Sequence, residues 1–137
     1  MTKTFTAPMT QTNSGPYATI IAASALPYSV RPVATPSGLI KLVDGTTEGK
    51  KIPFIDVVGT NTNTPFIFQI WKEYSPTEII FIAAYLVDGT TATTVKAPPK
   101  KSIELFDMVL MSGEALWVGS SVVDNPINAY CPAASYE

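Results

Sequence analysis

Histidine is absent from this 137-residue chain and cysteine occurs once. Those two facts exclude a Ser-His-Asp triad, a Cys-His pair, a His-ligated zinc site and a thiolate zinc cluster. Chemistry is left to carboxylates, lysines and the backbone. Charge is scarce as well: Asp, Glu, Lys and Arg make up 15% of the residues, against about 25% in an average soluble domain. A lightly charged surface enters interfaces readily, because few ions must be stripped of water. The expectation is an assembly, a homo-oligomer with a trimer among the states open to it. The formal net charge is -2 and the nine Lys and Arg are spread along the chain, so no nucleic-acid partner is expected. Lys50-Lys51 and Lys100-Lys101, the only doublets, adjoin turn-forming residues and read as solvated loops. Long apolar runs are missing too. The most apolar stretch, Ile79 to Val87, is about half the roughly 20 residues that cross a bilayer, and no membrane partner is expected. The first twenty residues contain no signal-peptide core, and the partnerless Cys131 fits synthesis in a reducing cytoplasm as a buried, inert thiol.

What the chain does contain is 46% hydrophobic residues and 12 prolines. Residues 1–16 are rich in Thr, Pro, Asn, Gln and Ser and follow neither the helical nor the strand period, so they read as an extended arm preceding one domain over 17–137. Phe5 and Met9 are the bulky apolar groups of that arm. From Tyr17 onward, β-branched and aromatic runs are separated by Pro, Gly, Asn and Asp every eight to twelve residues or so, the spacing of an all-β sandwich. Strands are expected at Ala18 to Ala25, Leu39 to Val43, Ile52 to Val58, Phe66 to Glu73, Ile79 to Val87, Ile103 to Leu110 and Leu116 to Val123, with a short one at Ile127 to Cys131. Pro32, Pro53 and Pro65 remove ladder donors and place their segments at edges or bulges. Ser75-Pro76-Thr77-Glu78 has the form of a helix capping box. The stiff branched side chains that follow, Ile79-Ile80-Phe81-Ile82, favour a pleated surface, and strand is the reading there. It is also the reading over Ser102 to Met111, although the alternation there is poor.

The hexapeptide Leu-Val-Asp-Gly-Thr-Thr occurs twice, at 42–47 and 86–91. Asp44-Gly45 and Asp88-Gly89 supply the positive φ values of a tight hairpin turn, so both copies read as a strand end and a return. Calcium takes six to eight oxygens, no Asp-x-Asp series surrounds either copy, and no metal or cofactor is expected. Glu104, Asp107 and Glu114 are the carboxylates close enough in sequence to consider as a glycosidase pair. Acids at strand ends and turns ordinarily face water, so the expectation is no enzyme activity and no catalytic residue. Trp71 and Trp117, with Tyr74 or Tyr85, are candidates for a sugar-stacking platform. Both Trp adjoin core-like residues, and a buried aromatic between two sheets is the stronger reading.

The segments Leu86-Val87-Asp88-Gly89, Pro98-Pro99-Lys100-Lys101-Ser102-Ile103-Glu104-Leu105 and Val109-Leu110-Met111-Ser112-Gly113-Glu114-Ala115-Leu116-Trp117-Val118, with Ser135-Tyr136-Glu137, resemble small β-sandwich virion proteins of tailed bacteriophages. In the residues themselves, Gly113 allows a turn, and Leu110, Leu116 and Val118 supply one core layer. Lys41 to Gly49 resembles a turn in the capsid decoration proteins of lambda-like phages, and the chain departs from that family at Lys50-Lys51-Ile52-Pro53-Phe54. The resemblance implies a structural role in the virion: a decoration or cement protein partnered with a major capsid protein or other virion proteins. A neck, tail or baseplate component is one alternative, and a carbohydrate- or receptor-binding module is another. The expected fold is a single β-sandwich of jelly-roll type, with Phe5, Met9, Tyr17 and Trp71 as interface residues. Removing residues 1–16 is expected to leave the sandwich folded and weaken attachment.

Overall fold

The computed structural model describes residues 9–11, 17–21, 25–29, 38–59, 64–75, 78–89, 97–121, 126–131 and 134–136. They form ten strands: β1 (Met9–Gln11), β2 (Tyr17–Ile20), β3 (Ile40–Asp44), β4 (Lys50–Gly59), β5 (Phe66–Ser75), β6 (Glu78–Val87), β7 (Lys100–Leu110), β8 (Ala115–Ser120), β9 (Ile127–Tyr130) and β10 (Ala134–Tyr136). The expected all-β class is observed, and Glu78–Val87 is strand: the branched run prevails over the capping signal.

The pairing follows one rule. β1 pairs with β10, β2 with β9, β3 with β8, β4 with β7 and β5 with β6, all antiparallel. The chain is thus one long hairpin. Its two-stranded ribbon rolls up until β9 and β10 also lie along β4, and β8 lies along β5. Rolling yields a six-stranded sheet, in which β4 carries β7 on one side and β9 and β10 on the other, and a four-stranded sheet in the order β3-β8-β5-β6. Two such sheets face to face make a jelly-roll sandwich. Met9–Gln11, within the segment read as an arm, adds a short strand at the margin of the first sheet.

The core between the sheets is built by alternation. Tyr17, Ala18, Thr19 and Ile20 run exposed, buried, exposed, buried, and β9 repeats the pattern. Phe66, Phe68 and Ile70 from the second sheet meet Ile52, Ile55 and Val57 from the first, with Leu110, Leu116 and Val118 beside them, all fully buried or nearly so. Burying each such side chain contributes about 1.5–3 kcal/mol.

The ribbon turns its corners as a pair of strands. Asp44 lies opposite Ala115 in the second sheet, and Lys50 lies opposite Leu110 in the first. Between them the two crossing segments stay bonded: Gly45 N–H donates to the Glu114 carbonyl at 2.8 Å, and Thr46 bridges Met111. This corrects the hairpin reading of both hexapeptides. The first ends β3 and crosses to the other sheet, and the second ends β6 before the chain crosses to β7; Thr90 and Thr91 lie outside the described residues. Gly45 is needed because a Cβ there would sit 2.0 Å from the Met111 carbonyl oxygen. On this segment the positive φ belongs to Gly49 (93°). On the partner segment, Gly113 has φ 85° in a turn closed by Glu114 N–H to the Met111 carbonyl at 3.0 Å, as expected of a glycine at the third turn position.

Pro53 lies within the central strand β4. The partner strand answers its missing donor with a bulge: Ile52 opposes Met108 and Phe54 opposes Glu104, so residues 105–107 face Pro53 alone.

Candidate interaction surface

The two outer faces of the sandwich are treated differently. Over the four-stranded sheet, alternation turns Gln69, Trp71 and Trp117 away from the main core, and the segment 25–29 lies across them. Ala25 N–H donates to the Ser120 carbonyl at 3.1 Å. Gln69 Oε1 accepts from Leu26 N–H at 3.0 Å, and its Nε2 donates to the Leu26 carbonyl at 2.9 Å. The same Oε1 accepts from Trp71 Nε1 at 3.1 Å. Tyr28 stacks on Phe81 with ring centroids 4.4 Å apart, and Phe81 meets Trp71 edge-on at 5.6 Å. A second core results, with Leu39, Trp71, Ile79, Ala115 and Trp117 buried and Leu26 and Phe81 packed against it. Trp117 Nε1 donates to Glu73 Oε1 at 2.8 Å, and the Lys41 ammonium lies 5.3 Å from the Trp117 ring centroid.

Over the six-stranded sheet the described residues lay nothing comparable. One rung reads Tyr17, Tyr130, Asp56, Ser102 across four strands, with the Ser102 hydroxyl bonded to the Asp56 carboxylate. The next reads Thr19, Asn128, Val58, Lys100, with Thr19 Oγ1 donating to Asn128 Oδ1 at 2.9 Å. Tyr17 is 75% exposed, Ile21 74% and Phe106, on the bulge opposite Pro53, 86%. Phe106 has φ 52°, a left-handed conformation costly for a bulky side chain. Its N–H is held by Glu104 Oε1 at 2.9 Å.

Of the residues expected at an interface, Tyr17 is on this open face. Met9 begins β1 opposite Tyr136, and Phe5 lies outside the described residues. Trp71 is fully buried and offers no surface to a partner. Both Trp are core residues, as read, but they sit outside the second sheet under residues 25–29 rather than between the sheets. Trp71 and Trp117 are register partners there. Tyr74 is exposed, with the Lys72 ammonium 4.4 Å from its ring centroid, and Tyr85 is half-buried.

The carboxylates are engaged locally. Glu104 holds the Phe106 amide, whereas Glu114 accepts from Met111 N–H at 2.7 Å and faces Lys72 Nζ at 3.6 Å. Asp44 pairs with Lys41 at 3.1 Å. Asp88 lines, with Leu86, Val87 and residues 98–101, a cleft of about 300 Å³ at the end of the sandwich. Cys131 is buried, and burial pushes its thiol up to about 12 against an opposing effect of Lys50. Sequence reading missed Tyr130, Ile21 and Phe106. Alternation around Ile127, Ala129 and Cys131 carries the signal for Tyr130. The broken alternation at Leu105-Phe106-Asp107 marks the bulge.

No protein-family model and no curated protein matches the sequence. Among solved structures the chain is similar to a chain of infectious bursal disease virus, Gx strain, at 15% identity and TM-score 0.35 over 89% of this chain and 32% of that one. The corresponding figures for the Gt strain are 12%, 0.30, 89% and 32%. This chain therefore spans about a third of the length of those it matches.

Proposed function

We propose that this chain is a non-enzymatic structural protein of a virion, a decoration protein that cements a capsid shell built by a major capsid protein. The carrying observation is the asymmetry of the two faces. One sheet is covered over Gln69 and Trp71 by the chain's own segment 25–29, and the other presents Tyr17, Ile21, Tyr130 and Phe106 to solvent. Exposed aromatics on a lightly charged, regular face are the makings of a docking surface. The jelly-roll topology recurs in viral shells and in lectins, and this fold-level analogy favours the same reading. Mechanistically, each bound copy would stabilise the assembled shell over its dissociated parts by mass action. Electron microscopy of particles with and without this protein tests the reading. Added density in contact with the six-stranded sheet, together with greater resistance of decorated particles to heat, is expected; particles that never bind the protein would overturn it. A neck, tail or baseplate position uses the same surface, and copies per particle separate it from the head.

A carbohydrate-binding reading has one observation in its favour. Tyr17 and Tyr130 are register partners, with Asp56 opposite Tyr130 and Asn128 two residues before it, which puts two aromatic side chains near hydrogen-bonding groups on one face. Tyrosine fluorescence or chemical shifts that respond to added glycans would select it.

A further inference from the structure

We infer that two copies of this chain join edge to edge along β6, through Ala83–Val87, about a two-fold axis at Tyr85. An unpaired strand edge is a template for another strand, and folded chains guard such edges with charge, proline, bulges or brevity. Among the described residues five strands lie at sheet edges, and four of them are guarded. β7 carries Lys100, Lys101 and Glu104 and the bulge at 105–107. β2 and β1 are four and three residues long. β3 has five residues, a register shift, and an exposed Lys41 and Asp44. β6 is different. It runs ten residues, and between Ile79 and Val87 it contains no charge, proline or glycine. Among the described residues no strand pairs with its outer side.

Of the two register shifts along its pairing with β5, the one whose extra residue lies in β6 defines the usable part. Ile70 opposes Ala83 and Trp71 opposes Phe81, so Ile82 is an extra residue that interrupts the edge. Ala83–Val87 beyond it is a typical strand length. The occupant that fits is a second copy, because every copy offers the same edge and a two-fold axis makes an antiparallel pair of identical segments self-complementary. With the axis at Tyr85, Leu86 lies opposite the partner's Ala84, and Val87 lies opposite the partner's Ala83. Tyr85 and Val87 belong to the main-core side, so Leu86 and Ala84 share the outer face. Leu86 is 52% exposed in the single chain, and the small residue opposite gives it a surface to cover. Asp88 falls opposite the partner's Ile82, so no like charges meet along the rung. The two four-stranded sheets become one continuous sheet. This inference goes beyond the decoration reading and stands whether or not the chain belongs to a virion.

Sedimentation of the full chain across concentration, with hydrogen exchange of residues 83–87, tests it. The chain is expected to dimerise, with amide protection in 83–87 rising with concentration. Leu86→Lys, on a half-exposed site, is expected to weaken the dimer at least about tenfold while circular dichroism stays unchanged. Ala84→Glu gives a second variant should Leu86→Lys misfold. A chain that remains monomeric at about 100 μM, or a dimer that both folded variants leave intact, overturns the inference.

Discussion

Gln69 pairs with Leu26 as a strand would, donating to its carbonyl and accepting from its amide through one side chain. The same Oε1 also takes the Trp71 indole proton. One amide therefore fastens the segment 25–29 over the second core. Gln69→Leu keeps much of the volume but strands three polar groups. A stability loss of about 1–3 kcal/mol is expected, read by urea unfolding, with a red shift of tryptophan emission as the cover loosens. An unshifted spectrum and unchanged midpoint would show that the cover is held by other contacts.

Two glycines at one corner separate two kinds of constraint. At Gly45 a methyl group would meet the Met111 carbonyl oxygen at 2.0 Å, whereas at Gly113 it would meet nothing within 4 Å and suffer only the φ of 85°. Gly113→Ala should cost about 1–2 kcal/mol. Gly45→Ala should cost more than that, because a backbone atom of the partner segment cannot swing aside as a side chain does, and overpacking alone reaches about 3 kcal/mol. Denaturant midpoints of the two variants give the order; a milder effect at Gly45 would mean that the corner yields.

Strand positions were legible because the driving pattern is local. Phe66 to Glu73 and Ile79 to Val87 read as strands from branched and aromatic side chains alone, and β5 and β6 exceed those bounds by only a few residues. β1 and β10 were not legible, since Met-Thr-Gln and Ala-Ser-Tyr carry no period and depend on each other across the whole chain. The same limit explains the hexapeptides. Asp44-Gly45 resembles a hairpin turn locally, but which sheet receives the next strand is decided by the ribbon from β7 to β8 turning beside it. It also explains the tryptophans, whose neighbours in sequence fix burial but not which face of the sheet buries them. The open face itself was not legible: Tyr17 reads as an interface residue together with the arm's Phe5 and Met9 rather than as part of a sheet face, and Phe106 was hidden in a bulge set opposite Pro53 of another strand.

Cys131 makes stability depend on alkaline pH. Its thiol stands at about 12 in the folded chain, against an ordinary value of 9.0, because burial disfavours the thiolate. The unfolded chain releases this proton near pH 9 and the folded chain does not, so the contribution is complete below pH 9. It is lost as pH rises from there toward 12, at a limiting slope of about 1.4 kcal/mol per pH unit. Cys131→Ala, whatever its cost at pH 7, should lack this component of the slope between pH 9 and 11. In the native chain the thiol should also resist disulfide reagents at pH 8. Equal slopes for both proteins, or rapid thiol labelling without unfolding, would contradict the buried state.

Phe106 joins strain to exposure. A phenylalanine at φ 52° with 86% of its surface in solvent buries little apolar surface inside the single chain, and such outliers persist where the surroundings enforce them. Here Pro53 forces the bulge and Glu104 caps the Phe106 amide. Asparagine adopts the left-handed conformation more easily, so Phe106→Asn should leave the isolated chain as stable or more so, by up to about 1 kcal/mol. If the face bearing Phe106 docks on a shell, the same substitution should weaken attachment by about 2 kcal/mol, roughly thirtyfold, as for a buried aromatic anchor. Stability and binding would then move in opposite directions in one variant. A variant that is more stable and binds particles as tightly as the parent would remove Phe106 from the docking surface and leave Tyr17, Ile21 and Tyr130 to carry it.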